Sequence, residues 1–180
     1  MIRQKQIITN WNVITGGPCT GKTTVVKLLA AKGYKTTIEH ARHYIDTQKI
    51  QGQTVEEIRN NKKKFQLGVL NMQIEQEAAL DVNETVFLDR ALPDTMAYFN
   101  FLGLDYDDRL IEQCNKYCYH RVFILDRLPL INDYARLEDE DEQIRIHNLI
   151  IEVYQSFPCP IVPVPVLTPE ERVNFILKNI

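Results

Sequence analysis

Residues 16–24 read "GGPCTGKTT". Gly16, Gly21, Lys22 and Thr23 satisfy G-x-x-x-x-G-K-[ST] at every fixed position, the signature of a backbone loop that cradles phosphate. A chance match in a chain of this length is expected only about 0.6 % of the time from average residue frequencies. The flanks agree with the motif: an apolar, β-branched run over about 7–15 precedes it, and apolar residues at Val25, Val26, Leu28, Leu29 and Ala30 follow at helical spacing. Strand, glycine turn and helix therefore come in the order that aims loop N–H groups and a helix N-terminus at an anion. The whole loop, Gly16, Gly17, Pro18, Cys19, Thr20, Gly21, Lys22, Thr23 and Thr24, is a nucleotide-binding candidate. Lys22 is placed to reach the β- and γ-phosphates, and the Thr23 hydroxyl to hold Mg²⁺.

Working outward, the pattern alternates. Gly33 closes the first helix as a C-terminal cap. "YKTTIE" (34–39) reads as a second strand and "ARHYIDTQKI" (41–50) as a short helix and turn. Thr54 with Glu57 forms a capping-box pattern that opens a helix running to about Ala78. "TVFLD" (85–89) and "RVFILD" (121–126) are near-continuous apolar runs, as expected for strands buried on both faces. A helix spans about Asp94 to Leu102, and Ile144, Ile146, Ile150, Val153, Tyr154 and Phe157 mark another. "PIVPVPVL" (160–167) supplies a last strand, which Pro163 and Pro165 assign to a sheet edge. "TPEE" (168–171) opens the closing helix with a threonine cap and proline at its first position. Strands alternating with helices predict a parallel sheet, mostly five-stranded, covered by helices on both faces. No linker or repeat interrupts the 180 residues, so residues 1–180 read as one domain.

Composition narrows the function. The chain is 44 % apolar and 25 % charged with a formal net charge of −3. That balance argues against a nucleic-acid partner, which selects a basic face; "KKK" at 62–64 reads as a solvated helix face. No stretch approaches the length of a membrane span, and the first residues lack the pattern of a signal peptide. The four cysteines, Cys19, Cys114, Cys118 and Cys159, form no C-x-x-C pair and read as reduced thiols of a cytoplasmic protein, although the Cys114/Cys118 spacing could put two thiols on one helix face. "NKYC" (115–118) is not the guanine-specificity motif, because Cys118 stands where that motif has Asp.

In a parallel sheet the working groups gather beyond the carboxyl ends of the strands. Asp89 ends its strand in the position of an acidic Mg²⁺ anchor, with Arg90 directly behind it; a solvated strand end is the competing reading. Glu39 ends the second strand and Arg42 follows. Glu39 is a candidate base or hydrogen-bond acceptor for a bound hydroxyl, against the alternative of a helix cap or surface ion pair. Arg127 and Arg136 fall in a segment, about 127–142, that reads as a lid able to neutralise charge in phosphoryl transfer. The acidic run at 138–142 reads as a helix opening.

With those pieces placed, the segments "VITGGPCTGKTTVVKLLAAKGY", "IEHARHYI", "VFLDRALPDTMAYF", "RLED" and "TPEERVNFIL" resemble the predicted-ATPase family of the P-loop kinase group. That family is similar to the ribosylnicotinamide kinase domain of bacterial NAD regulators and to eukaryotic GTP-binding relatives. The resemblance covers about residues 13–177 and implies a kinase-like P-loop NTPase: a three-layer α/β sandwich with ATP or GTP as co-substrate and Mg²⁺ as cofactor. It implies phosphate and metal binding at Gly21, Lys22, Thr23 and Asp89, an acceptor pocket at Glu39, Arg42 and Arg90, and lid roles for Arg127 and Arg136. Arg90 departs from the ribosylnicotinamide kinases and is closer to nucleoside and nucleotide kinases with an Asp-Arg element. Three activities follow as expectations. The first is a small-molecule kinase that phosphorylates a hydroxyl of a nucleoside-like acceptor, with either Glu39 or Asp89 as base. The second is a regulatory switch with slow hydrolysis. The third, a nucleic-acid motor, fits the acidic balance poorly.

Overall fold

A computed structural model of the chain describes residues 6–106, 108–128 and 140–180. In chain order the elements are β1 (Ile7–Ile8), β2 (Trp11–Thr15), α1 (Lys22–Ala31), β3 (Lys35–Thr36), α2 (His40–Ile50), α3 (Val55–Asn60), α4 (Lys62–Ala79), β4 (Val86–Asp89), α5 (Leu92–Leu102), α6 (Asp108–Cys114), β5 (Tyr117–Cys118), β6 (Arg121–Leu125), α7 (Glu140–Gln155), β7 (Ile161–Val164) and α8 (Pro169–Leu177). Five strands form one sheet in the order β3-β4-β2-β6-β7, and every pairing in it is parallel.

The alternation of side chains along the strands makes the three layers. On one face Trp11, Val13, Leu88, Val122 and Ile124 meet Ala97 of α5 and Ile146, Ile150 and Val153 of α7. On the other, Ile14, Phe87, Phe123 and Leu125 meet Val25, Val26 and Leu29 of α1 and Val173 and Ile176 of α8. Each of these large side chains that is fully shielded contributes about 1.5–3 kcal/mol relative to exposure. That is why "TVFLD" and "RVFILD" could not be surface strands. β7 is an edge, as its prolines required. Among the described residues no helix is long and apolar enough to cross a membrane.

Several local readings are corrected. The run 7–15 is two strands. β1 pairs with β5, whereas β2 pairs with β4 and β6. The break falls at Thr9, whose hydroxyl donates to the Cys118 carbonyl (3.1 Å) and accepts the Trp11 N–H (3.3 Å). The second strand keeps only two residues, and α2 is a full helix of 11 residues rather than a short helix and turn. The capping box at Thr54 and Glu57 forms, yet the helix it opens stops at Asn60. Asn61 leaves helical geometry (ψ 70°), and its side chain accepts the Lys64 N–H (3.1 Å) to start α4 afresh. Cys114 and Cys118 do not share a helix face, since α6 ends at Cys114; Cys118 Sγ instead lies 3.9 Å from Cys159 Sγ.

Candidate active site

The loop 16–21 leaves β2 at the centre of the sheet, between β4 and β6, and delivers the chain into α1. Gly16 is required there twice over: its φ is 137°, and a Cβ would sit 2.7 Å from the Leu125 carbonyl oxygen. Gly17 has no room either, since a Cβ would meet that of His147 at 2.7 Å. Lys22 is buried, and its Nζ donates to the Gly17 carbonyl (2.6 Å) and the Thr20 hydroxyl (3.1 Å). Burial, followed by the Arg90 charge, lowers its pKa from 10.5 to about 7. An amine held this way gains from an arriving polyanion, which restores its proton and replaces the repulsion of Arg90 with attraction.

Two residues that sequence reasoning missed hold the loop from outside. The Gly17 N–H donates to His147 Nδ1 (3.0 Å), and burial lowers the His147 pKa, so the acceptor nitrogen stays unprotonated. Arg172 of α8 is 1 % exposed; its guanidinium donates to the carbonyls of Thr20 (2.5 Å), Pro165 (2.9 Å) and Asp126 (3.0 Å). One side chain thus ties the loop to the ends of β6 and β7. A usable signal existed for Arg172, a charge beside Val173 and Ile176 on the face that α8 buries. His147 offered none, because nothing in the chain relates 147 to 17.

Beyond β4, Asp89 is 5 % exposed. Its N–H donates to the Thr37 hydroxyl (2.9 Å), while Oδ1 is buried without a hydrogen-bond partner. Burial raises its pKa to about 6 despite Arg90 beside it. Asp89 and Thr23 line one cleft of about 370 Å³ together with Glu39 and Arg42. A buried carboxylate oxygen without a hydrogen-bond partner, on a residue that lines the same cleft as a threonine, is the donor chemistry a hard divalent cation takes. Asp89 and Thr23 could therefore hold Mg²⁺.

A second cleft, of about 420 Å³, opens between α2, α4, α5 and α7. Glu39 and Arg42 line it as well, so they stand at the junction of the two cavities. Glu39 is the residue before α2 but its side chain makes no capping bond; it pairs with Arg90 Nε at 3.6 Å. Arg90 sits at φ 69° and donates to Asp94 (3.0 Å), the Gly16 carbonyl (3.4 Å) and the Tyr98 hydroxyl (3.4 Å). Asp94, also missed, is the hub beneath it: it accepts from the Thr15 hydroxyl (2.5 Å), the Tyr154 hydroxyl (2.6 Å) and the Ala91 N–H (3.1 Å). Arg127 faces Glu140 at 3.9 Å across the anticipated lid. Arg136 and residues 129–139 lie outside the described residues.

Behind this network Glu77 is buried, accepting from Gln73 (2.8 Å), the Leu92 N–H (3.1 Å) and the Tyr119 hydroxyl (2.9 Å). Burial outweighs those bonds and raises its pKa from 4.5 to about 7. The folded state thus keeps a proton that the unfolded state has released, and stability contributed at low pH is lost as pH rises from 4.5 to 7. Glu77→Gln should remove that loss. Its stability relative to wild type is expected to improve by about 3 kcal/mol between pH 4.5 and 7.5 in urea titrations. Parallel pH profiles for the two proteins would refute the assignment.

The geometry has counterparts. A family model described as an AAA domain matches residues 11–172. The chain belongs to that family. The AAA domain of this chain has a kinase-like P-loop fold. It is similar to the NadR protein solved in complex with NR (19 % identity, TM-score 0.67), covering 94 % of this chain and 51 % of that one. It is also similar to deoxyadenosine kinase from M. mycoides (16 %, TM-score 0.62; 94 % and 97 % covered). Thymidylate kinase from Ehrlichia chaffeensis is a third such structure (16 %, TM-score 0.63; 94 % and 96 % covered). The chain spans about half the length of the NadR chain. Comparison with curated proteins finds no match. The family model spans "GGPCTGKTT", and the parallel sheet with helices on both faces confirms the three-layer fold.

Proposed function

We propose that the protein is a Mg²⁺-dependent kinase that transfers the γ-phosphate of ATP to a hydroxyl of a nucleoside-like acceptor. The observation that carries this reading is the junction at Glu39 and Arg42, where a cleft shared with Thr23 and Asp89 meets a cleft walled by Phe65, Tyr98 and Phe101. A hydrolase needs only the first; the second has the size and the aromatic walls for a planar ring. The likeness to nucleoside and nucleotide kinases supports the same reading.

In this scheme the loop amides and Lys22 hold the triphosphate; Thr23 and Asp89 would hold Mg²⁺, which would supply charge neutralisation for the transferring phosphate. Glu39 takes the proton of the acceptor hydroxyl. The new O–P bond forms as the bond to the β-phosphate bridging oxygen breaks, and ADP leaves. Arg90, fixed by Asp94 and Glu39, orients the acceptor beside the loop, and Arg127 approaches from the lid. Alignment and fixed charge supply the catalysis.

The test is acceptor-dependent ADP production over a panel of nucleosides and nucleotides, with Glu39→Gln and Asp89→Asn compared. Glu39→Gln should lower kcat by about 10²-fold or more with the Mg²⁺ dependence unchanged, while Asp89→Asn should raise the Mg²⁺ requirement. A normal kcat in Glu39→Gln moves the base to Asp89. If no acceptor raises ADP production, and di- and triphosphate states differ in protease sensitivity, the switch reading replaces the kinase.

A further inference from the structure

The second cleft carries more positive charge than its own carboxylates engage. Four cations line it: Arg42, Arg59, Lys62 and Arg90. Arg90 is held by Asp94 and Glu39. Arg42, Arg59 and Lys62 have no ion-pair partner among the described residues, and Glu142 of α7 is the cleft's remaining carboxylate. This concentration stands out in a chain of net charge −3.

The break at Asn61 puts the cations there. It ends α3 with Arg59 in its last turn and restarts the chain at Lys62, so both residues face the cleft from a wall built by α2, α3 and α4. Arg90 and Asp94 line the other side, from the turn after β4 and from α5. The "KKK" run is exposed, as its reading as a solvated face expected, and Lys62 within it also lines the cavity. Phe65, one turn further along α4, supplies an aromatic surface, and its ring is fixed edge-on to Tyr44 (centroids 5.5 Å). Tyr98 and Phe101 of α5 are the opposing aromatic surfaces. A ring between α4 and α5 would lie in the cleft that Arg59 and Lys62 also line.

Resting on the kinase reading, we infer that the acceptor is anionic: a planar-ring compound bearing a carboxylate or a phosphate that Arg59 and Lys62 bind, in preference to a neutral nucleoside. Guanidinium and ammonium donors form charge-assisted bonds to either anion, and Arg59 and Lys62, being exposed, favour an anion over a neutral analogue by that salt-sensitive attraction.

The experiment compares three ligands that share one ring, uridine, UMP and orotidine, together with adenosine and AMP. KM and kcat are measured with ATP, and Kd by calorimetry without it, at 50 mM-scale and higher salt. UMP or AMP favoured over its nucleoside assigns the anion to phosphate, and orotidine favoured over uridine assigns it to a ring carboxylate. The double variant Arg59→Ala/Lys62→Ala should raise KM and Kd for the anionic ligand about tenfold, with a weaker salt dependence. The charge-conserving exchange Arg59→Lys/Lys62→Arg should retain most of the affinity. ATP-induced thermal stabilisation checks that each variant is folded. Neutral nucleosides that bind and react as well as the anions leave the kinase standing and overturn this inference. If no ligand is phosphorylated the kinase reading fails, and calorimetry still decides the charge preference: anion binding lost in the double variant supports it. Anions that bind no better than neutral parents, or not at all, overturn it.

Discussion

Lys22→Ala should abolish phosphoryl transfer, with kcat/KM falling about 10³-fold or more, because no other side chain in the loop supplies positive charge to the β- and γ-phosphates. The same substitution should not weaken the unliganded fold. The buried amine has its pKa lowered to about 7, so between pH 7 and 10.5 folding displaces a proton that the unfolded chain holds, and stability is gained only as pH rises. Removing it relieves that cost while giving up two hydrogen bonds, to Gly17 and Thr20. The variant should therefore melt within about 3 °C of wild type alone but lose the stabilisation that ATP confers. Retained ATP-induced stabilisation together with retained turnover would remove Lys22 from the site.

Arg172→Ala, by contrast, should weaken the unliganded fold. Three backbone carbonyls lose their donor, and a cavity opens between α8, the loop and the ends of β6 and β7. A charged hydrogen-bonding group of this kind is worth about 4 kcal/mol when deleted from a buried position, or roughly a 10 °C drop in melting temperature for a chain this size. Where the variant is still folded, ATP affinity should fall as well, because Thr20 and its neighbours lose the anchor that fixes their amides. Arg172→Lys keeps the charge but reaches fewer carbonyls and should recover only part of either loss. An unchanged melting temperature in Arg172→Ala would show that Thr20, Pro165 and Asp126 are satisfied without it.

Much of the candidate site was legible because phosphate binding is a local problem. The strand, the loop and the helix that hold an anion are contiguous, so a single motif with its flanks specifies them. Asp89 and Glu39 were legible for a related reason, since a strand recognisable by its apolar run has an identifiable end. The junction of two clefts at Glu39 and Arg42 was anticipated only as a list of residues at strand ends. Phe65 walls a cavity, although nothing in the sequence around it sets it apart from the other apolar residues of its helix. Asn61 explains part of the miss: its neighbours have helical propensity throughout, and the break depends on one side-chain bond to the Lys64 N–H.

The sequence by itself determined the parallel three-layer fold and the phosphate loop, because hydrophobic periodicity and a glycine motif act over a few neighbouring residues. The tertiary structure alone decided what supports the loop and what faces it. Gly17 meets His147 across 130 positions and Thr20 meets Arg172 across 152. Arg90 is held by Glu39 and Asp94 from different elements. Burial sets the protonation of Lys22, Glu77 and Asp89 in a way no residue type reveals. These are consequences of chain crossing and desolvation, which exist only once distant segments have packed.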